Sequence, residues 1–193
     1  MWPLFFVAGV VLIVGILGAG GATFAALRPY LIANPARQLQ MANLIYSRFR
    51  SAGFPVNLGL AAVVNAYFES RLDPSVVAGR QPWGSSAGEA FAGGAHENSV
   101  GLFQLNAAPG AAGEGMSVRD RQNPSKNIAR IIQVVKGPAG NQIRSHLNSS
   151  VGTLTYMFTT DIERPADRAR KGAERQNFAE ALFETGRSGG RTF

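Results

Sequence analysis

The stretch that organises this chain is Asn65-Ala66-Tyr67-Phe68-Glu69-Ser70-Arg71-Leu72-Asp73-Pro74, and a glycine-rich connection separates it from Ser99-Val100-Gly101-Leu102-Phe103-Gln104-Leu105-Asn106. The first stretch completes a run that is almost wholly apolar over residues 56–68, with its large side chains at helical spacing. Pro74 disfavours helical geometry at the residue before it, so the helix ends a few residues earlier. The pattern predicts a buried helix with Asn57 as its N-cap.

A single carboxylate, Glu69, stands in or next to the last turn of this predicted helix. Apolar surroundings and the negative C-terminal end of a helix both disfavour the ionised form of a carboxylate. A carboxyl group that keeps its proton near neutral pH can serve as a general acid. Glu69 is therefore a candidate catalytic acid. The alternatives are a side chain that points into water at a frayed helix end, or one that pairs with Arg71.

Together, the two stretches resemble the paired signature of the lysozyme superfamily and are most similar to the lytic transglycosylases and goose-type lysozymes. The matching letters are Glu-Ser-x-Leu-Asp-Pro at 69–74 and Ser-x-Gly-Leu-Phe-Gln-Leu-Asn at 99–106, two short motifs in the expected order. The resemblance implies a mainly α, lysozyme-like α+β domain that cleaves peptidoglycan with Glu69 as its catalytic acid. It also implies substrate-binding positions beside the acid and along the wall of the sugar cleft at Ser70, Ser99, Gly101 and Gln104.

Three later segments extend the likeness. Asn123-Pro124-Ser125-Lys126-Asn127-Ile128 is similar to the Asp-Pro-x-x-Asn-Ile of lytic transglycosylases and opens a predicted helix. A predicted helix over 151–158 carries Tyr156, which by resemblance corresponds to the tyrosine near the glutamate in that family and is a further substrate-binding candidate. The residues that follow this tyrosine in the family are replaced here. Glu163-Arg164-Pro165 resembles a segment that precedes a basic helix in phage tail lysozymes, and we predict most charges of that helix to be solvated.

The type of cleavage depends on whether a second carboxylate faces Glu69. Retaining glycosidases hold their two carboxyl groups about 5 to 5.5 Å apart, and inverting ones about 6.5 to 9.5 Å apart. Chicken-type lysozymes carry their aspartate two residues before the glycine of the cleft motif, and this chain has Ser99 there. A lytic transglycosylase needs one carboxyl group, because the 6-hydroxyl of the muramic acid replaces water. We expect that activity, with Glu97 as the candidate second carboxylate if the enzyme is instead a hydrolase.

The connection over residues 78–98 is rich in glycine, which predicts a mobile loop or a distorted hairpin, and by resemblance it forms the small β-region or loop lobe that faces the helices. Trp83 and Phe91 in this loop either stack on a sugar face or cover the edge of the core. The chain has no cysteine, and its two histidines, His96 and His146, lie far apart in sequence. We therefore predict no metal and no cofactor.

Residues 2–27 carry no ionisable side chain and are long enough to cross a bilayer as a helix. The alternative, a cleaved signal peptide, is disfavoured because the segment lacks a basic N-terminal region. The predicted organisation is a transmembrane anchor over 1–28, a connector over 29–36, the lysozyme-like catalytic domain over 37–185 and a flexible tail over 186–193.

The formal net charge of +7 favours an anionic partner such as peptidoglycan, teichoic acid or lipid head groups, and we expect no specific nucleic acid. Basic residues follow the predicted span, and the positive-inside rule then puts the domain on the cytoplasmic side, away from a substrate outside that membrane. A virion membrane protein that opens the wall for genome entry, together with other virion or envelope proteins, removes this conflict. The alternatives are a bacterial secretion-associated wall-remodelling enzyme and a non-catalytic structural or glycan-binding membrane protein.

Overall fold

The computed structural model describes residues 24–31, 34–77, 99–165 and 167–183, and within these ranges the chain is mainly helical. Its α-helices are α1 (Pro35–Ser51), α2 (Val56–Ser70), α3 (Val118–Gln122), α4 (Pro124–Lys136), α5 (Asn141–Ser145), α6 (Val151–Met157) and α7 (Arg168–Phe183). Short 3₁₀ helices cover Ala25–Tyr30 and Pro138–Gly140, and a π-helical segment, Phe158–Glu163, continues α6. The mainly α class predicted from the sequence is confirmed.

Helix α2 lies at the centre of the described fold. Every residue from 58 to 67 is buried, and the helix packs against α1, α6 and α7. A helix that is apolar on all sides is stable only inside a core, because no face of it suits water. The sequence of α2 therefore requires the surrounding helices, and its end carries Glu69 to the boundary of the core.

Helix α1 covers one side of α2. The side chain of Asn34 accepts a hydrogen bond from the backbone N–H of Arg37, and Pro35 occupies the first helical position, where its missing N–H has no cost. Met41, Ile45 and Phe49 recur at helical spacing on the buried face. This stripe packs α1 on the central helix.

The turn after α2 fixes the end of the predicted signature. Arg71 and Leu72 both adopt positive φ angles, 54° and 63°, which are unfavourable for residues with a Cβ. The turn is held because Leu72 is fully buried and because Oδ1 of Asp73 accepts hydrogen bonds from the N–H and the hydroxyl of Ser75, at 2.9 and 2.7 Å. The chain then reaches Val77, which bridges to the sheet.

The described sheet is a small antiparallel hairpin. Strand β1 (Ser99–Val100) pairs with β2 (Leu105–Asn106), so that Ser99 lies opposite Asn106. The Gly-Leu-Phe-Gln part of the second motif forms the turn between the strands. The hairpin therefore presents this motif beside the end of α2.

The start of α2 differs from the prediction. Asn57 is not the N-cap; Pro55 holds that position and supplies no side-chain cap. The amide of Asn57 instead donates to the carbonyl oxygen of Ser149 at 3.0 Å, just before α6. A long-range hydrogen bond thus takes the place of a local cap at the start of α2, and the helix is stabilised by its burial.

The described segment before α1 packs into the core. Phe24 and Leu27, which the sequence analysis places in the transmembrane span, are fully buried in the core, and Pro29 lies within a 3₁₀ helix and not in an open connector. Most of the predicted span, residues 2–23, lies outside the described residues. In the part of the chain that the structure describes, no helix is both long and apolar enough to cross a membrane.

Candidate active site

A cleft of about 820 Å³ opens at the C-terminal end of α2, with Glu69 in its wall. Its lining comes from the β1–β2 hairpin with the loop after it, from α4 with the turn after it, and from residues 161–165. The predicted site residues Glu69, Ser99 and Gln104 all line this cleft. Residues from the two halves of the sequence signature therefore meet at one site.

Ser70 links the two halves. Its hydroxyl is buried and lies 3.0 Å from two carbonyl oxygens, those of Ala66 in α2 and Leu102 in the hairpin turn. Removal of this hydroxyl would leave the turn without its bond to the helix end. Ser70, a predicted substrate-binding residue, is buried and is not among the described residues that line the cleft; its hydroxyl positions the turn.

Gly101 is required by a close backbone approach. Its φ is +86°, and a Cβ at this position would lie 2.1 Å from the carbonyl oxygen of Arg121. The buried amide of Asn127 donates to that same oxygen at 2.7 Å and accepts from the N–H of Phe103 at 3.2 Å. The asparagine of the Asn-Pro-x-x-Asn-Ile segment thus holds the hairpin turn, and Gly101 shapes the cleft from behind its lining.

Gln104 and Ser99 face the cleft. Gln104 has a positive φ of 44°, and its amide N–H donates to the carbonyl oxygen of Gly101 at 2.9 Å. Ser99 accepts from the amide of Asn106 at 3.4 Å across the hairpin. Ser99 and Gln104 therefore supply a hydroxyl and an amide to the cleft wall.

Glu69 is held by Arg175 of α7. The guanidinium of Arg175 donates from Nη2 to Oε1 of Glu69, and the side chains are 5% and 19% exposed. Arg71, the alternative partner considered above, instead stacks its guanidinium 4.5 Å from the centre of the Tyr67 ring. Glu69 is thus a partly buried carboxylate at the cleft wall with one specific cation.

A second carboxyl group, Glu163, joins the pair. Its Oε2 lies 3.6 Å from Nη1 of Arg175, and its side chain is 4% exposed. Burial first, and then the charge of Glu69 and a hydrogen bond to it, raise the pKa of Glu163 well above its ordinary value, against the opposing effect of Arg175. Burial and the nearby charge of Glu69 therefore favour the protonated form of Glu163, and both carboxyl groups share the guanidinium of Arg175.

Arg175 is itself fixed by the core. Its Nη1 donates at 2.9 Å to Oδ1 of Asn65, one helical turn before Glu69, and Thr159 donates to the same oxygen at 2.8 Å. The guanidinium also lies 5.4 Å from the centre of the Phe68 ring. A rigid second layer of this kind gives the charged groups one defined geometry.

The π-helical segment brings Glu163 into place. It follows α6 directly and ends at Arg164, whose φ of 52° turns the chain towards α7. Short π-helical insertions are rare and occur often at functional sites, because they re-aim the side chains that follow. Here the insertion sets Glu163 against Arg175, the partner of Glu69, and puts Asp161 and Pro165 into the cleft lining.

Three basic side chains also line the cleft: Arg130, Arg164 and Lys171. Arg130 donates to the carbonyl oxygen of Ala112 at 2.5 Å, and Arg164 donates to that of Asp161 at 2.9 Å. The two guanidinium groups are therefore oriented by backbone acceptors. They give the cleft a cationic lining around its carboxyl groups.

One described residue among those predicted lies away from this geometry. Tyr156 does not appear among the described residues that line the cleft; its ring packs where a Cβ on Gly172 of α7 would lie, at 2.8 Å. It therefore supports the α6–α7 contact. Glu97 lies outside the described residues, as do Trp83, Phe91 and His96.

Glu163 and Arg175 were not predicted as site residues. Glu163 was noticed only as part of the Glu-Arg-Pro likeness, and Arg175 was assigned to a helix of mostly solvated charges. A signal for Arg175 was present, because Gly172 and Ala179 lie on the same face of α7 and are also buried. Small residues on both sides of a charge indicate a helix face in close packing, where that charge needs a partner.

In residues 24–31, 34–77, 99–165 and 167–183, no three acidic, histidine or cysteine side chains are grouped so that they could hold a metal ion. Comparison of the chain with family models, with curated proteins and with solved structures finds no match.

Proposed function

We propose that this chain is a peptidoglycan lytic transglycosylase that cleaves the β-1,4 bond between MurNAc and GlcNAc. The observation that carries the proposal is the setting of Glu69. It stands in the wall of a cleft large enough for sugar rings, at the end of a buried helix, and it is held by Arg175, which also holds the buried Glu163. A general acid requires such a position beside the scissile bond.

In this reaction Glu69 gives a proton to the glycosidic oxygen while the bond from that oxygen to C1 of MurNAc breaks. The ring passes through an oxocarbenium-like state. The 6-hydroxyl of the same ring then attacks C1, and Glu69 takes the hydroxyl proton. The product is a 1,6-anhydro sugar, no water is consumed, and the proton returns to the enzyme. The tethered hydroxyl has a high effective concentration, which a free water lacks.

Glu163 does not replace the missing second carboxylate. Its carboxyl group is 4% exposed and is held by the same guanidinium as Glu69, whereas both hydrolytic geometries need room for the sugar or a water between the two carboxyl groups. Burial also raises the pKa of Glu163 and so favours its protonated form, whereas a nucleophile or base must be ionised. This favours the single-carboxylate reaction.

A hydrolase remains the second candidate because Asp161 also lines the cleft. Its Oδ1 accepts from the hydroxyl of Thr160 at 3.0 Å, and the side chain is half-buried. An ionised aspartate there could activate a water. If the enzyme is a hydrolase, Asp161→Asn should abolish cleavage and the products should carry reducing ends.

The basic side chains that line the cleft favour a glycan substrate that carries anionic groups. Arg130, Arg164 and Lys171 lie along the same cleft as Glu69. The lactyl-linked stem peptides of peptidoglycan bear carboxylates, which guanidinium groups bind well. An uncharged β-1,4 glycan would leave these side chains without a ligand.

The setting that we propose is a membrane-tethered enzyme in a virion or in a bacterial envelope. Residues 2–23 are apolar and uncharged and would still reach across a bilayer at about 1.5 Å per residue. The virion reading rests on the Glu-Arg-Pro likeness and on the basic residues after the span. The partners would be peptidoglycan strands, lipid and other virion or envelope proteins.

The test is digestion of purified peptidoglycan by the full chain in mild detergent, with Glu69→Gln as the inactive variant. Glu174→Gln is the matched control, because it makes the same chemical change on an exposed side chain of α7. Release of 1,6-anhydro muropeptides by the wild type and the control, but not by Glu69→Gln, supports the proposal. Absence of any soluble product from the wild type would favour a non-catalytic glycan-binding protein.

A further inference from the structure

The cluster of Glu69, Glu163 and Arg175 contains two carboxyl groups and one cation. Arg175 reaches both carboxyl groups with separate nitrogens, Nη2 to Glu69 and Nη1 at 3.6 Å to Glu163. All three side chains are mostly shielded from water. Buried charges are tolerated when they balance, and this cluster is neutral when the two carboxyl groups share one proton.

The hydrogen bonds indicate where this proton lies. Oε1 of Glu163 is buried and accepts no hydrogen bond from any of the described residues. A buried carboxylate oxygen without a donor is costly, and a proton on this carboxyl group removes that cost. With a proton there the cluster is neutral, and Arg175 serves as the counter-charge of Glu69.

We propose that Glu163 stores the proton that Glu69 delivers to the glycosidic oxygen, with Arg175 as the counter-charge for whichever carboxyl group is ionised. This inference rests on the function proposed above. It gives Glu163 a role that acts through Glu69, so Glu163 is a positioning and proton-holding residue and does not touch the substrate.

The steps balance as follows. The O–H of Glu163 passes its proton to the carboxylate oxygen of Glu69, and the new negative charge on Glu163 is compensated by Nη1 of Arg175. Glu69 then gives the proton to the glycosidic oxygen as the C1–O bond breaks and its electron pair goes to that oxygen. The 6-hydroxyl forms the new C1–O bond and returns its proton to Glu69, from which it passes back to Glu163.

Other charged groups face the same cleft and enter the pH dependence. They are Arg130 on α4, Asp161 and Arg164 beside the π-helical segment, and Lys171 on α7. The cations among them make the potential in the cleft more positive once substrate has excluded water. A stored proton on Glu163 removes the need to draw one from solvent against that field.

The experiment is a pH profile of peptidoglycan cleavage by the full chain, for the wild type, Glu163→Gln, Glu163→Asp and the control Glu174→Gln. The glutamine amide can still donate to Glu69 and fills the same volume, but it cannot give up a proton. The rate of cleavage by Glu163→Gln at pH 7 should fall by at least about tenfold. The alkaline limb of its pH–rate profile should move to lower pH, because Glu69 must now take its proton from solvent. Glu163→Asp should keep the wild-type limb at a reduced rate. A folded Glu163→Gln protein with the wild-type profile would overturn the proposal.

A second readout does not depend on activity. The infrared C=O stretch of a protonated carboxylic acid should be present in the wild type at pH 7 and lost in Glu163→Gln. Lack of that band in the wild type overturns the proposal even if Glu163→Gln fails to fold. If the band is present and assigned to Glu163 but the wild type releases no muropeptides, the proton store is supported and the proposed function is what fails.

Discussion

Arg175 of α7 donates a hydrogen bond to Glu69 at the end of α2, although the two residues lie far apart in the sequence. The contact converts a helix-end carboxylate into one member of a fixed charge cluster. It also explains why α7, a strongly polar helix, is attached to the core at this point. Four consequences for stability follow from this cluster and from the packing around it.

Replacement of Arg175 by methionine should destabilise the fold strongly. Removal of one partner from a buried ion pair leaves uncompensated polar groups and costs about 3 to 5 kcal/mol. Arg170→Met is the control, since Arg170 is exposed on the same helix and its replacement should change the free energy of unfolding far less. Urea unfolding at pH 7 measures both. Equal losses for the two variants would show that Arg175 is not part of a buried cluster.

Glu163→Gln should change how stability depends on pH. The pKa of Glu163 is raised in the folded protein by burial and by Glu69, so between its ordinary value and that raised value the folded state binds more protons than the unfolded state. The contribution of Glu163 to the free energy of unfolding is therefore complete at pH values below its ordinary pKa, and it is lost as the pH rises through that window. Glutamine does not titrate. Within that window, the free energy of unfolding of the variant should therefore rise relative to that of the wild type by on the order of 1 kcal/mol per pH unit. Parallel unfolding curves over this range would contradict the assignment.

The Gly101→Ala substitution should lower the free energy of unfolding more than Gly110→Ala does. Both glycines have positive φ, 86° and 77°, so both variants carry the backbone penalty of about 1 to 2 kcal/mol. Only at Gly101 would the new Cβ meet a backbone oxygen; nothing lies within 4 Å at Gly110. The difference in thermal stability between the two variants measures the effect of the close approach of Gly101 to Arg121. A Gly101→Ala protein as stable as the Gly110→Ala protein would show that the hairpin turn does not lie against Arg121 as described.

Phe24→Ala should destabilise the domain by about 3 to 5 kcal/mol, because a fully buried ring is lost from the core. Arg28→Ala, at an exposed position in the same 3₁₀ helix, is the control. The same reasoning predicts that residues 24–193 form a more stable protein than residues 36–193, from which Phe24, Leu27 and Leu31 are missing. Equal unfolding midpoints for the two truncations would show that the domain begins at about residue 36.

The sequence predicted the parts of this structure that depend on local pattern. The apolar run before Glu69, the proline after it and the Asn-Pro start of α4 each specify an element through near neighbours. The meeting of Glu69, Ser99 and Gln104 at one cleft was also expected, but through resemblance to known signatures and not through periodicity.

What the sequence did not predict depends on long-range contacts. The partner of Glu69 comes from α7, and the role of Asn57 is a tie to Ser149 that no local pattern encodes. The burial of Phe24 and Leu27 was missed because an apolar run of that length suits a bilayer and a core equally well. Glu163 was hidden because its position depends on a π-helical insertion, which has no sequence period of its own.

The most direct test of the whole account is mass spectrometry of the muropeptides that the wild type and Glu69→Gln release from purified peptidoglycan. The account predicts 1,6-anhydro products, lighter by one water than hydrolytic ones, from the wild type, and a loss of about 10²- to 10⁴-fold in a folded Glu69→Gln protein. Reducing-end products that depend on Asp161, or undiminished cleavage by Glu69→Gln, would contradict it.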